Sequence, residues 1–79
     1  MDNYNLFPTS ANGLGYEIKR LVDSYNAKSI SREELIQVLE EWQRNCEFMV
    51  KDDELSPSVV RQIGKRRAIV VTKALRLGE

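Results

Sequence analysis

Histidine is absent from this chain, and cysteine occurs once, as Cys46. The first absence removes the commonest general acid–base group. The two together argue against a zinc site, which draws on several thiolate or imidazole ligands. A lone thiol also excludes an internal disulfide. Cys46 falls on an apolar helical stripe with no base partner, where thiols are inert, and it fits a reducing, cytoplasmic setting. No apolar run nears the roughly 20 residues of a membrane-spanning helix. Met1-Asp2-Asn3-Tyr4-Asn5 has neither the basic nor the apolar part of a secretory leader. Repeats, low-complexity tracts and interdomain linkers are missing too. The pairs Glu33/Glu34 and Glu40/Glu41 belong to a solvent face, and Asp52-Asp53-Glu54 lacks the spacing of a calcium loop. The expectation is a non-enzymatic protein with no cofactor, no metal and no membrane segment.

What is present suits one small domain. A chain of 79 residues buries a thin core and is marginally stable alone. Without disulfide or metal staples, self-association is the most direct route to more burial, so a homo-oligomer is expected. The formal net charge is zero, but the charges are segregated. Residues 1–30 hold three basic and three acidic groups; residues 31–55 hold three basic and eight acidic; residues 56–79 hold six basic and one acidic. A neutral start is followed by an acidic middle and a basic end.

Apolar spacing predicts an all-α fold, a three-helix bundle over residues 13–79 behind an irregular N-terminal arm over 1–12. Leu6-Phe7-Pro8 is an apolar patch in that arm, loose unless Leu6 and Phe7 dock. The first helix is expected from about Ala11–Gly13 to Tyr25–Asn26, with Leu14, Ile18, Leu21, Val22 and Tyr25 on one face. Gly13 and Gly15 weaken its first turn, and Asn26 is the expected C-terminal cap. The second helix opens on a capping box, Ser31 with Glu34, and a staple, Ile30 with Leu35. Its apolar face runs through Leu35, Val38, Leu39, Trp42, Cys46 and Met49. The third opens at Ser56-Pro57, serine as cap and proline at the first helical position, and is expected to run unbroken to about Leu75–Leu77. The β-branched stretch Ala68-Ile69-Val70-Val71-Thr72 has no alternation and no partner strand, so it reads as helix.

Four features of the third helix stand out. Arg67 falls inside its apolar face, where an isolated charge is costly. It is either a structural group, paired with a carboxylate of the second helix or of residues 52–54 or stacked on Trp42, or an anchor for a phosphate or a partner's carboxylate, or it snorkels to the surface. Gly64, one turn earlier, costs roughly 1 kcal/mol in a helix; close approach of another helix under Trp42, or room for a ligand or subunit, would offset that. Arg61, Lys65, Arg66 and Arg67, with Lys73 and Arg76, could neutralise nucleic-acid phosphates. They do not share one face, however, and seven acid-rich residues precede the helix where a helix-turn-helix needs a short turn. Finally, Ile69 points away from the core stripe. With Tyr16, Leu6 and Phe7 it is a candidate self-association surface. The candidate ligand-binding residues are thus Arg61, Lys65, Arg66, Arg67 and Trp42.

The order of features, Ile18-Lys19-Arg20-Leu21, Ile30, Glu33-Glu34-Leu35, Trp42 with Asn45, Ser56-Pro57-Ser58 and Ile63-Gly64-Lys65-Arg66-Arg67, resembles a family of short uncharacterised helical proteins from low-GC Gram-positive bacteria and their phages. That resemblance implies a cytoplasmic setting and a phage or mobile-element origin, and it supplies no site roles. The expected function is interaction with a host protein or an anionic small molecule such as a nucleotide. A nucleic-acid-binding regulator and a purely structural oligomerisation module are the alternatives.

Overall fold

The computed structural model describes residues 4–79; residues 1–3, which carry much of the leader-peptide expectation, lie outside the described residues. The described residues form helix α1 (Ala11–Asn26), helix α2 (Arg32–Asn45), strands β1 (Val50–Lys51) and β2 (Glu54–Leu55), helix α3 (Pro57–Ile63) and helix α4 (Lys65–Leu75). The fold is predominantly helical, as expected, but it is not the expected three-helix bundle. The third helix is divided in two, and the connection before it contains a hairpin.

Local chemistry explains where the first two helices start. Ser10 caps α1, its Oγ accepting from the Gly13 N–H at 3.1 Å. Ser31 caps α2 in the same way, accepting from Glu34 N–H at 3.1 Å, the serine half of the expected capping box. Ile30 packs against the core, and Leu35 is buried within it. The end of α1 differs from expectation. Asn26 is its last helical residue, Ala27 is the cap, and the left-handed residue that follows is Lys28, with φ 61°. Helix α2 stops at Asn45, so Cys46 and Met49 reach the core from the turn after the helix.

The hairpin pairs Val50 with Leu55 and Lys51 with Glu54, antiparallel. Asp52 and Asp53 form its two-residue turn, with φ of 53° and 62°. Both central residues being left-handed marks a type I′ turn, whose twist matches that of paired strands. Aspartate is among the few residues that tolerate this conformation. Ser56 then accepts a different role from the one its position suggested. Its hydroxyl makes no cap to α3 and instead donates to the Phe48 carbonyl, while its N–H donates to Met49 O at 2.9 Å. The serine closes the base of the hairpin.

Gly64 divides the third helix. Its φ of 86° and ψ of 163° lie in a region essentially reserved for glycine. No atom lies within 4 Å of where its Cβ would be, and the residue is exposed. This overturns the expectation of a helical glycine packed under Trp42: the requirement is conformational, not steric. Gly64→Ala is therefore expected to lower stability by about 1–3 kcal/mol in a urea titration. In an unbroken helix the same change would raise stability by roughly 1 kcal/mol, so the sign alone distinguishes the two.

The core gathers one face of every helix: Leu14, Ile18, Leu21 and Val22 from α1, Leu35, Leu39 and Trp42 from α2, Val59 and Ile63 from α3, and Val71 from α4. Helix α1 packs most extensively on α3, and α2 on α4. The arm ahead of α1 docks on α2 through its backbone. Trp42 Nε1 donates to Asn5 O at 2.7 Å, Asn45 Nδ2 to Leu6 O at 2.9 Å, and the Cys46 thiol to Pro8 O at 3.7 Å. Tyr4 meets the Trp42 ring edge-on, with centroids 6.0 Å apart. Of the two arm residues expected to dock, Leu6 packs against the core and Phe7 is exposed. Among the described residues no helix is long and apolar enough to cross a membrane.

Candidate functional site around the Gly64 break

Breaking the helix at Gly64 starts a new helix at Lys65, and this creates the site. The first turn of α4 is Lys65-Arg66-Arg67, with no acidic residue and no side-chain cap. The first amides of any helix lack intrahelical acceptors, and its N-terminus carries partial positive charge. Natural first turns favour Asp and Glu for that reason. Here three cations stand where anions are favoured, and Arg61 sits in the last turn of α3, just before the break.

The four cations are not equivalent. Arg67 reaches back to α1 and holds Asp23 in a two-point contact, Nε to Oδ1 at 3.0 Å and Nη2 to Oδ2 at 3.1 Å. Its Nη1 donates to Ile63 O at 3.1 Å, satisfying a carbonyl left free where α3 ends. The structural ion pair anticipated for this residue exists, but its partner is on α1 rather than on α2 or residues 52–54, and Arg67 is half-exposed rather than central. The Asp23 hydrogen bonds raise its pKa above the ordinary arginine value. Arg61, Lys65 and Arg66 are exposed and have no ion-pair partner among the described residues.

Because both partners of the Arg67–Asp23 pair are substantially exposed, solvent screens it. Arg67→Ala and Asp23→Ala are each expected to lower the denaturation midpoint slightly without unfolding the protein. The double variant should be no worse than the worse single one if the pair is what is lost, as a double-mutant cycle reads directly.

Trp42 lies elsewhere in chemical terms. It is 0% exposed and its one polar atom is engaged by Asn5, so it offers no surface to a ligand. Cys46 is 1% exposed, and burial pushes its thiol pKa up, away from the reactive thiolate. Among the described residues no cluster of potential metal ligands occurs.

Beside the break runs a groove. Its first part, about 360 Å³, is lined by Val60, Lys65, Ala68, Ile69, Thr72 and Lys73. Its second part, about 350 Å³, lies against the hairpin between Asp53, Glu54, Leu55 and Leu77, and shares Val60 and Thr72 with the first. Ile69, 55% exposed, stands in the first part.

A second charged cluster was not foreseen. Glu17 on α1 is 5% exposed and accepts from Arg20 Nη1 at 2.6 Å and from the Asn5 N–H at 3.1 Å. The Arg20 guanidinium lies 5.0 Å from the centroid of the Tyr4 ring and 5.9 Å from that of Tyr16, close enough for cation–π attraction. Glu17 thereby ties the arm to α1. The only sequence signal was the i,i+3 spacing of Glu17 and Arg20, which is common on solvent faces.

No curated protein and no solved structure matches the chain. One family model matches residues 5–76, carrying the description "conserved hypothetical protein". It spans the docked arm, the hairpin and all four helices described above, and on that match the chain belongs to this conserved hypothetical family, CLB_0814_fam.

Proposed function

We propose that this is a small, non-enzymatic, cytoplasmic interaction protein that engages an anionic partner at the N-terminus of α4. The observation that carries the reading is the uncapped first turn of α4 with its cations. An uncapped helix N-terminus is a ready anion site, and here Lys65 and Arg66 add full charges that no carboxylate pairs with among the described residues. Arg61 approaches from the end of α3. Arg67, held by Asp23, contributes positioning more than free charge. Carboxylates of a host protein and the phosphates of a small molecule such as a nucleotide are the anions this arrangement suits. The buried free thiol supports the cytoplasmic setting. The resemblance to short phage-associated proteins supports a phage or mobile-element origin and a role in modulating a host process.

Nucleic-acid binding is the second reading, favoured by the same cations. The acidic rim formed by Asp53 and Glu54 at the far end of the neighbouring groove counts against a long polyanion lying along this face.

Native mass spectrometry of the full chain, purified from a bacterial host at low salt, tests the proposal. A retained nucleotide-sized or protein mass is expected, and it should be lost from the Lys65→Glu and Arg66→Glu variants while Glu33→Lys on α2 retains it. A bare chain, together with DNA affinity that falls steeply with salt, would replace this reading with the second one.

A further inference from the structure

The groove beside α4 has a property that an anion site does not need. Its first part has an apolar floor of Val60, Ala68 and Ile69, its second part mixes Leu55 and Leu77 with Asp53 and Glu54, and the two ends carry opposite charge. Lys65 stands at one end, at the start of α4. Asp53 and Glu54 stand at the other, where Asp53 Oδ2 accepts from the Gly78 N–H at 2.8 Å just past the end of that helix. The rise of an α-helix separates Lys65 and Leu75, the two ends of α4, by roughly 15 Å. Val60 and Thr72 line both parts and so mark the middle.

A surface of this kind is complementary to itself when turned through a half-rotation about its middle. We propose that the groove is the contact face of a two-fold homodimer. The α4 helices of two copies lie antiparallel across an axis near Val60 and Thr72. Lys65 of each copy meets Asp53 and Glu54 of the other, and the exposed Ile69 side chains enter the shared apolar floor. A two-fold contact uses the same patch on both copies, so a patch with its positive end, apolar centre and negative end in line meets that condition with one chain. A uniformly acidic peptide or a nucleic acid would meet Asp53 and Glu54 with like charge, which interfaces avoid. Lys73 flanks the axis and has the length to turn its ammonium to the solvent rim. Small domains without disulfide or metal staples gain most from such burial. The proposal goes beyond the anion-binding reading and shares only Lys65 with it, since Arg61 and Arg66 do not line the groove and remain available on a dimer.

Sedimentation equilibrium of the full chain tests it. The expected mass is twice the 9.1 kDa of one chain. Ile69→Glu should yield a monomer with an unchanged circular dichroism spectrum. Lys65→Glu alone and the double variant Asp53→Asn/Glu54→Lys should each weaken self-association about tenfold or more, because each then carries like charge at both ends. An equimolar mixture of these two variants should restore the dimer, since every end contact in the mixed pair is again between opposite charges. A monomer across the accessible concentration range would overturn the proposal and leave the anion site untouched. A dimer that survives Ile69→Glu would overturn it as well, by placing the contact elsewhere. Failure of the mixture to associate would rule out the two-fold arrangement.

Discussion

Trp42→Ala is expected to bring the protein to the edge of unfolding at room temperature. Truncating a fully buried tryptophan costs about 3–5 kcal/mol through lost transfer energy and the cavity left behind. The total stability of a domain this size is about 4–12 kcal/mol. The loss reaches further than the core, because the indole Nε1 anchors the arm at Asn5 O and the ring meets Tyr4 edge-on. Chemical denaturation followed by circular dichroism would read the loss. Trp42→Phe separates the two contributions. It keeps most of the apolar volume and removes the donor, so it should cost about 1 kcal/mol for the hydrogen bond, with some repacking, and speed amide exchange in residues 5–7. If Trp42→Phe left the arm as protected as before, the indole hydrogen bond would not be what holds it.

The second large effect is expected at Gly15, and its sign runs against helix propensity. Alanine is better than glycine inside a helix by roughly 1 kcal/mol, so both Gly13→Ala and Gly15→Ala should help by that measure alone. A Cβ on Gly13 would have Ser10 Oγ at 3.4 Å and Pro8 Cβ at 3.7 Å, near ordinary contact. A Cβ on Gly15 would lie 2.5 Å from Gln62 Cβ, an atom fixed to the backbone of α3, so the helices would have to separate. Gly15 sits where α1 meets α3, the most extensive packing in the fold. Gly15→Ala should therefore be destabilising by about 1–3 kcal/mol, the usual cost of overpacking, and Gly13→Ala neutral or stabilising. Thermal melts of the two variants side by side provide the check; a stabilised Gly15→Ala would mean that α1 and α3 are not this close.

The residues that were legible in the sequence are those whose signal is local. Ser31 caps α2 because a hydroxyl one residue ahead of an amphipathic run has amides within reach. Leu14, Ile18, Leu35, Leu39 and Trp42 declare their buried face through spacing. What escaped prediction needs tertiary context or a backbone angle. Strands of two residues have no alternation to detect, so Asp52-Asp53 reads as charge when it is a turn. Gly64 lies in a stretch whose periodicity continues across it, and only its positive φ reveals the break. Ser56-Pro57 correctly marks a helix start, yet the serine hydroxyl serves the hairpin instead. Among the candidate site residues, Arg67 was rightly singled out as a charge requiring compensation, but the sequence offers many carboxylates and no means of choosing Asp23. Arg61, Lys65 and Arg66 look scattered when projected on one continuous helix. With the break in place, they flank the start of a new one.

The docked arm has a consequence for how this family can vary. Three side chains of the α2 region reach the arm, and each is met by a main-chain carbonyl, which every amino acid carries. Residues 5, 6 and 8 could therefore drift in identity with little effect on these bonds, provided that the chain path is kept. Trp42 and Asn45 have no such latitude, since only particular side chains place a donor at those distances. For these three bonds the burden of selection is one-sided and falls on the buckle, while the strap is constrained by packing instead, at Tyr4 and Leu6.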